Sequence, residues 1–441
     1  MAFWNRISRP YPLITSSIPV IRQRRPLSMA QAPAWLKPVL SDTSVPPTLY
    51  AWTPANLNLP YTPQRRDIQD ESSRIYIIGI GNLGRMYAAY LSLVTPTPPP
   101  ITLVVHRESL LSQWIENNGV EVTRQGVLHQ SKAYDIEYWS EEKPATGPVQ
   151  QVQPLRNVLV TTKATAAMPS VDRIRGYLDS QSTVAFAQNG MSKLWPPHGS
   201  AYMTHRYPNG NGFNALLCVT NHGVLSEGPF KSLHAAPANV SIGSVFPGHD
   251  VSQNYLAQQI LAAPFIDAKA FPTADLWVVQ LEKLVVNACL NPLTALLRQK
   301  NGFIFQNPDG PIIKVLDCII AEASAVLQAL AKSDASTSIL ASSESDIAIL
   351  RQTLVERFSF DKLRSLVYAV GEKVKENRSS MLQDVCAGKG TEIRDFNGWF
   401  VDMATFLDPS IDVSTNQKLV ELIENGAAQL DETSLSQSML K

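Results

Sequence analysis

Apolar and polar positions along the first half of the chain alternate between short apolar runs and helix-spaced patterns. Residues 75–78, "IYII", form an apolar run that passes through three glycines into a helical pattern over about 82–93. "ITLVV" (101–105), "NVLVTTK" (157–163) and "STVAFAQNG" (182–190) repeat the signature of strands buried on both faces of a parallel sheet. The segment 214–243 predicts further short strands that complete the sheet. Strands in alternation with helices predict an α/β domain of Rossmann type over 74–250.

After about residue 252 the period changes, and an all-α domain is expected over 251–431, with 432–441 as a tail. The helix predicted over 274–297 is apolar around most of its circumference. Lys283, Asn287 and Asn291 fall four residues apart and share one stripe. A buried lysine with two amides is either the wet face of a core helix or a functional constellation, and periodicity divides these evenly. Pro292 predicts a kink or break just past Asn291.

Composition leaves room for two cores: 441 residues are 44% hydrophobic, with 38 basic and 38 acidic side chains. That balance gives no electrostatic footprint for nucleic acid. The four cysteines have no metal-ligand or disulfide spacing, so no metal site is expected. No apolar run approaches the length of a membrane span. Arg6, Arg9, Arg22, Arg24, Arg25 and Lys37 precede the first acid, Asp42. An Arg-rich, acid-free start predicts a mitochondrial transit peptide over 1–41 and a matrix location, with a basic tail on a cytoplasmic protein as the alternative. Residues 42–73, rich in proline, read as an extended arm. The segments 95–100, 140–154 and 331–347 read as insertions.

The glycines after the first strand carry the first chemical signal. Gly79, Gly81 and Gly84 have the spacing G-x-G-x-x-G between strand and helix, which is the dinucleotide-binding fingerprint. The turn includes Asn82 and Leu83, whose backbone N–H groups open the helix and face an anion. The strand 101–105 ends in His106-Arg107, where an NAD site places an acid. A guanidinium there can clasp a 2′-phosphate, so Arg107 points to NADPH. Lys163 and Asn189, at the carboxyl ends of two further strands, are candidates for cofactor or substrate contact.

"GIGNLG", "AQNGM", "EKLVVNACLNPLTAL" and "SSMLQDVCAGKGTEIRDFNG" occur in this order, and together they resemble the ketopantoate reductase family over about 74–431. The resemblance implies a Rossmann-type domain joined to a helical one, with the site in the cleft, and NADPH-dependent reduction of 2-dehydropantoate to pantoate. It implies that Lys283 gives a proton to the C2 oxygen as hydride arrives. Asn189, Asn287, Asn291 and Ser380 match substrate-binding positions. Glu392 matches a residue at the reaction centre, either holding the substrate hydroxyl or pairing with Lys283. Arg107 and Lys163 match basic residues beside the cofactor, and Asn189 and Glu392 also border it. Two other readings stand beside this one: a reductase of another branched 2-oxo acid, and a non-catalytic mitochondrial RNA or translation factor on the same fold. The intact constellation, and the excess of acids beyond residue 41, weigh against the last. A monomer or homodimer with a small-molecule substrate is expected.

Overall fold

The computed structural model describes residues 32–63, 72–117, 119–247, 251–343, 345–426 and 429–439. Along the chain, α1 (Lys37–Ser41) leads to β1 (Tyr50–Trp52), β2 (Ile75–Ile78), α2 (Asn82–Leu91), β3 (Ile101–Val105) and α3 (Ser109–Glu116). There follow β4 (Val120–Arg124), β5 (Val127–Ser131), β6 (Asp135–Ser140), β7 (Asn157–Val160), α4 (Ala164–Arg173), β8 (Thr183–Phe186) and α5 (His198–Arg206). Next come β9 (Asn214–Thr220), β10 (Gly223–Gly228), β11 (Lys231–Ala236), β12 (Val240–Ser244), α6 (Tyr255–Ala262) and β13 (Ala268–Ala270).

Among the described residues, nine of these strands form one sheet in the order β1-β6-β3-β2-β7-β8-β9-β12-β13. Its centre is parallel, and every residue of β2, β3, β7 and β8 is buried. Such strands need an apolar side chain on both faces, which explains their continuous rather than alternating patterns. Ile78 sits opposite both Val104 and Val160, so the carboxyl ends of β3, β2 and β7 lie level. The strands expected over 214–243 divide between two sheets: β9 and β12 extend the large one, while β10 and β11 join β4 and β5 in a second, four-stranded sheet.

The helical half comprises α7 (Thr273–Leu297), α8 (Pro311–Lys332), α9 (Thr337–Leu340), α10 (Ile347–Arg357), α11 (Phe360–Lys373), α12 (Ser380–Cys386), α13 (Ile393–Leu407), α14 (Ser414–Glu424) and α15 (Glu432–Met439). One face of the large sheet packs on α2, α3 and α6. The other shares a continuous core with α7 and α8, through Val184, Leu217, Leu281 and Leu316. A buried carboxylate fixes α14: Glu322 accepts from the backbone N–H of Thr415 at 2.7 Å and of Asn416 at 3.0 Å, where the helix dipole favours an anion.

Four expectations change. The domain boundary falls near Pro272 rather than 250, because α6 buries Leu256, Ala257 and Ile260 against the sheet and β13 pairs with β12. Of the expected tail, residues 432–439 form α15, which sinks Leu435 into the main core. Residues 1–31 of the expected leader lie outside the described residues, but Ala32 and Leu36 are buried in that same core. The folded body therefore begins before residue 42, and the arm after it supplies edge strand β1. Finally, α7 runs unbroken through Pro292. The proline ring removes the N–H that Ala288 would receive, and Asn397 Nδ2 donates to that carbonyl instead at 3.0 Å.

Candidate active site

The Gly-rich turn leaves β2 at the level where β3 and β7 flank it, the position at which open α/β sheets bind ligands. Gly79 has φ +94°, and a Cβ there would lie 2.7 Å from Thr162 Cγ2. A Cβ on Gly84 would approach the Gly79 carbonyl oxygen to 2.2 Å, so the helix can lie this close to its strand only with glycine. Gly81 is different, since a Cβ there meets only open space. It precedes α2 with no side-chain cap, which leaves the backbone N–H groups of Asn82 and Leu83 without one. Beside the turn, the buried Thr162 hydroxyl has no hydrogen-bond partner. A narrow turn, an open face and uncapped donors fit the pyrophosphate of a dinucleotide.

Two side chains tie this turn to the second sheet. Arg85 donates to the carbonyls of Gly228 at 2.8 Å and Lys231 at 2.7 Å, and burial lowers its pKa to about 10. Asn82 Nδ2 donates to Val224 O at 3.1 Å. His106 and Arg107 stand exposed at the end of β3, and Arg107 makes no hydrogen bond or ion pair among the described residues.

Helix α7 packs along the face of β9 and β12 and brings Lys283 to the carboxyl ends of β8 and β9. Its Nζ donates to Asn189 Oδ1 at 3.1 Å and to the Thr220 carbonyl. Burial among apolar neighbours lowers the Lys283 pKa from 10.5 to about 8, against an upward pull from Glu392. Asn287, one turn on, is half-buried, while Asn291 is buried and donates to Ser380 Oγ at 3.5 Å. Ser379 caps α12 by accepting from the Leu382 N–H at 3.1 Å and bonds the Thr294 hydroxyl at 2.6 Å, which holds Ser380 at the stripe.

The cleft between the two halves is bridged. Glu392 Oε1 accepts from the Ala164 N–H at 3.0 Å, at the start of α4, and desolvation raises its pKa. It does not bond Lys283, so the pairing with Lys283 is not made in this structure. Lys163 reaches across to Asp384 at 2.9 Å and to the Gly390 carbonyl at 2.6 Å. It thus acts as a tie between domains in this structure, and Arg107 is left as the unengaged cation at the strand ends.

The structure therefore joins Lys283, Asn189, Asn287, Asn291 and Ser380 along α7, with Glu392 and Lys163 across the cleft and the glycine turn at the sheet switch point. Helical spacing groups Gln280 with the polar face of this helix but gives it no role. Its Nε2 donates to the Gly190 carbonyl at 2.9 Å and its Oε1 accepts from Trp195 Nε1 at 2.5 Å, pinning the loop that carries Asn189. Gln280 precedes Lys283 by three residues and so shares its helix face, which was the available signal.

The fold and site together define an oxidoreductase that uses a nicotinamide cofactor. Residues 75–246 match the family Ketopantoate reductase PanE/ApbA and residues 275–427 match its C-terminal part, so the chain belongs to the ketopantoate reductase family. It is 42% identical to "Ketoisovalerate reductase BEA2" of Gibberella fujikuroi, across 94% of this chain and 100% of the relative. It is 41% identical to "Ketoisovalerate reductase" of Beauveria bassiana, across 92% and 99%. Among solved structures, a D-mandelate dehydrogenase with NADH and anilino(oxo)acetate is similar with a TM-score of 0.57 at 17% identity, covering 82% of this chain and 99% of that one.

Proposed function

We propose that this protein reduces 2-ketoisovalerate, a short branched 2-oxo acid, to the 2-hydroxy acid with NADPH. The observation that carries the chemistry is Lys283, an ammonium of lowered pKa held between Asn189 and the Thr220 carbonyl at the strand ends. The two ketoisovalerate reductases that match nearly the whole chain support the substrate. The family itself supports a second reading, the reduction of 2-dehydropantoate, which differs from 2-ketoisovalerate in carrying a terminal hydroxymethyl group.

A reduced nicotinamide dinucleotide, when bound with its pyrophosphate at the glycine turn, would supply the hydride that C2 of the oxo acid receives. Gly79, Gly81, Asn82, Leu83 and Gly84 would hold its pyrophosphate, and Arg107 its 2′-phosphate. Addition at C2 places negative charge on the ketone oxygen, and Lys283 stabilises that charge and transfers a proton to it. With a pKa near 8, the lysine is largely protonated at neutral pH yet a far better acid than an exposed one. Asn189 keeps Nζ aimed. Asn287 is a free amide on the same stripe, and Ser380 with Asn291 lies one turn further, suited to the substrate carboxylate. Glu392 and Lys163 hold the halves together and keep water from the centre.

The test is turnover of the purified chain on 2-ketoisovalerate and 2-dehydropantoate with NADPH, beside Lys283→Ala. A higher kcat/KM on 2-ketoisovalerate, abolished in the variant, is expected. Preference for 2-dehydropantoate would transfer the function to the second reading, and full turnover in the variant would remove Lys283 from the mechanism. We also propose that mitochondrial import, if it occurs, uses residues before Ala32, because Ala32 and Leu36 belong to the core.

A further inference from the structure

A cavity of about 70 Å³ lies beside the loop 190–193, enclosed by residues of that loop and of α7, α8 and α13. Its wall is unusually rich in indole rings: Trp35, Trp195, Trp277 and Trp399 all contribute. It is a different space from the smaller cleft of Asn189, Gln188 and Gln280, with which it shares only Met191, Ser192 and Lys193. None of the residues assigned above to hydride or proton transfer lines it.

The polar groups on this wall are unevenly satisfied. Both cations are engaged: Lys193 pairs with Asp395 Oδ1 at 3.2 Å, and Arg394 donates to Glu424 through Nε at 2.7 Å. The unused capacity is on the acceptors. Asp395 is 8% exposed, and its Oδ2 has no hydrogen-bond partner. Asp402, at the rim, makes no hydrogen bond or ion pair among the described residues. His198 Nε2, also on the wall, is buried without a partner. A buried polar group with no partner is costly and asks for one.

We propose that this cavity is a second small-molecule site, which takes an apolar body bearing a primary ammonium. Its wall is largely apolar with a few convergent polar groups, the composition of small-ligand pockets. Indoles are the best aromatic partners for an organic cation, and the buried Asp395 Oδ2, with no hydrogen-bond partner, supplies an acceptor for its N–H groups. An anionic ligand finds no unengaged cation there. Trp35 contributes one wall, so the segment just before α1 closes a binding space rather than merely covering the sheet.

The experiment is calorimetric titration of the full chain with 2-phenylethylammonium, and with 3-phenylpropionate as a probe of similar body and opposite charge. Binding at one site per chain is expected, at least tenfold tighter for the ammonium, with at least a tenfold loss in Asp402→Asn and in Trp35→Ala. Asp402 lies at the rim, so its variant tests the charge without disturbing the core. Lys283→Ala should bind the probe as the unaltered chain does. Absence of binding to millimolar concentration, equal affinity for the two probes, or unchanged affinity in Asp402→Asn would each overturn the proposal. Loss of binding in Lys283→Ala would place the ammonium in the catalytic cleft instead, with the same consequence. The readout needs no turnover, so it stands or falls separately from the proposed reaction.

Discussion

Replacing Lys283 by methionine should abolish turnover and, at neutral pH, make the protein more stable. The pKa of the ammonium falls from 10.5 in a solvated lysine to about 8 in the fold, mainly through burial. At ~1.4 kcal/mol per pH unit, the fold therefore carries a penalty of about 3 kcal/mol at pH 7 for holding the charged form. Methionine has a similar length and no charge, so it removes that penalty. It also leaves Asn189 Oδ1 and the Thr220 carbonyl without their donor, which returns ~1 kcal/mol for each. The net expectation is a variant roughly 1 kcal/mol more stable at pH 7, in the sense of an active site that trades stability for function.

The pH dependence distinguishes this account from ordinary repacking. Because the folded pKa lies below the unfolded one, the unfolded chain holds the proton that the folded chain releases between pH 8 and 10.5. The penalty is thus complete below 8 and disappears as pH rises through that window. By pH 10 only about 1 kcal/mol of it remains, so the advantage of Lys283→Met should shrink by roughly 2 kcal/mol and reverse sign. Urea denaturation of both proteins at pH 7 and pH 10, read as the difference between them, measures this directly. A difference that does not change with pH, or a variant less stable at pH 7, would refute the claim that burial of the charge depresses this lysine.

Four further outcomes follow from the same geometry. The kcat/KM for reduction should be level near neutral pH and decline above about 8 as Lys283 loses its proton, and a profile unchanged to pH 10 would contradict the assignment of the acid. Arg107→Asp should weaken NADPH by at least tenfold and NADH by far less, since a guanidinium–phosphate pair contributes ~1.5–3 kcal/mol; equal losses in a direct titration would exclude contact with the 2′-phosphate. Gln280→Leu leaves the Gly190 carbonyl and the Trp195 N–H unpaired, and should lower kcat about tenfold with NADPH affinity intact, because Asn189 is no longer held against Lys283; unchanged kcat would reduce Gln280 to a packing residue. Removal of residues 1–41 should lower the Tm relative to removal of 1–31, since burial of Leu36 alone is worth ~1.5–3 kcal/mol, and equal Tm values would show that the segment contributes nothing.

What the sequence revealed about this molecule depended on how local the cause was. The glycine turn is legible because its main constraints are local: Gly79 takes a positive φ, and Gly84 packs on the Gly79 carbonyl five residues before it. The stripe of Lys283, Asn287 and Asn291 is legible as a stripe, because helical period places it on one face. Its function was not decidable from period, since burial in the assembled core depresses the Lys283 pKa and the groups that hold its ammonium, the Thr220 carbonyl and Asn189, lie 63 and 94 residues away. The same holds for Pro292, whose orphaned acceptor, the Ala288 carbonyl, is met by Asn397 109 residues further on. Domain boundaries failed for a related reason: α6 and β13 have helix and strand patterns that say nothing about which core they enter, and the partner strand β12 decides it. Lys163 shows the limit most sharply. Its position at a strand end pointed to the cofactor, yet Asp384 and Gly390, over 220 residues on, recruit it as a tie between the two halves. Position at a strand end thus places a residue at the cleft mouth, and the partners that fold in from across the cleft decide what it holds.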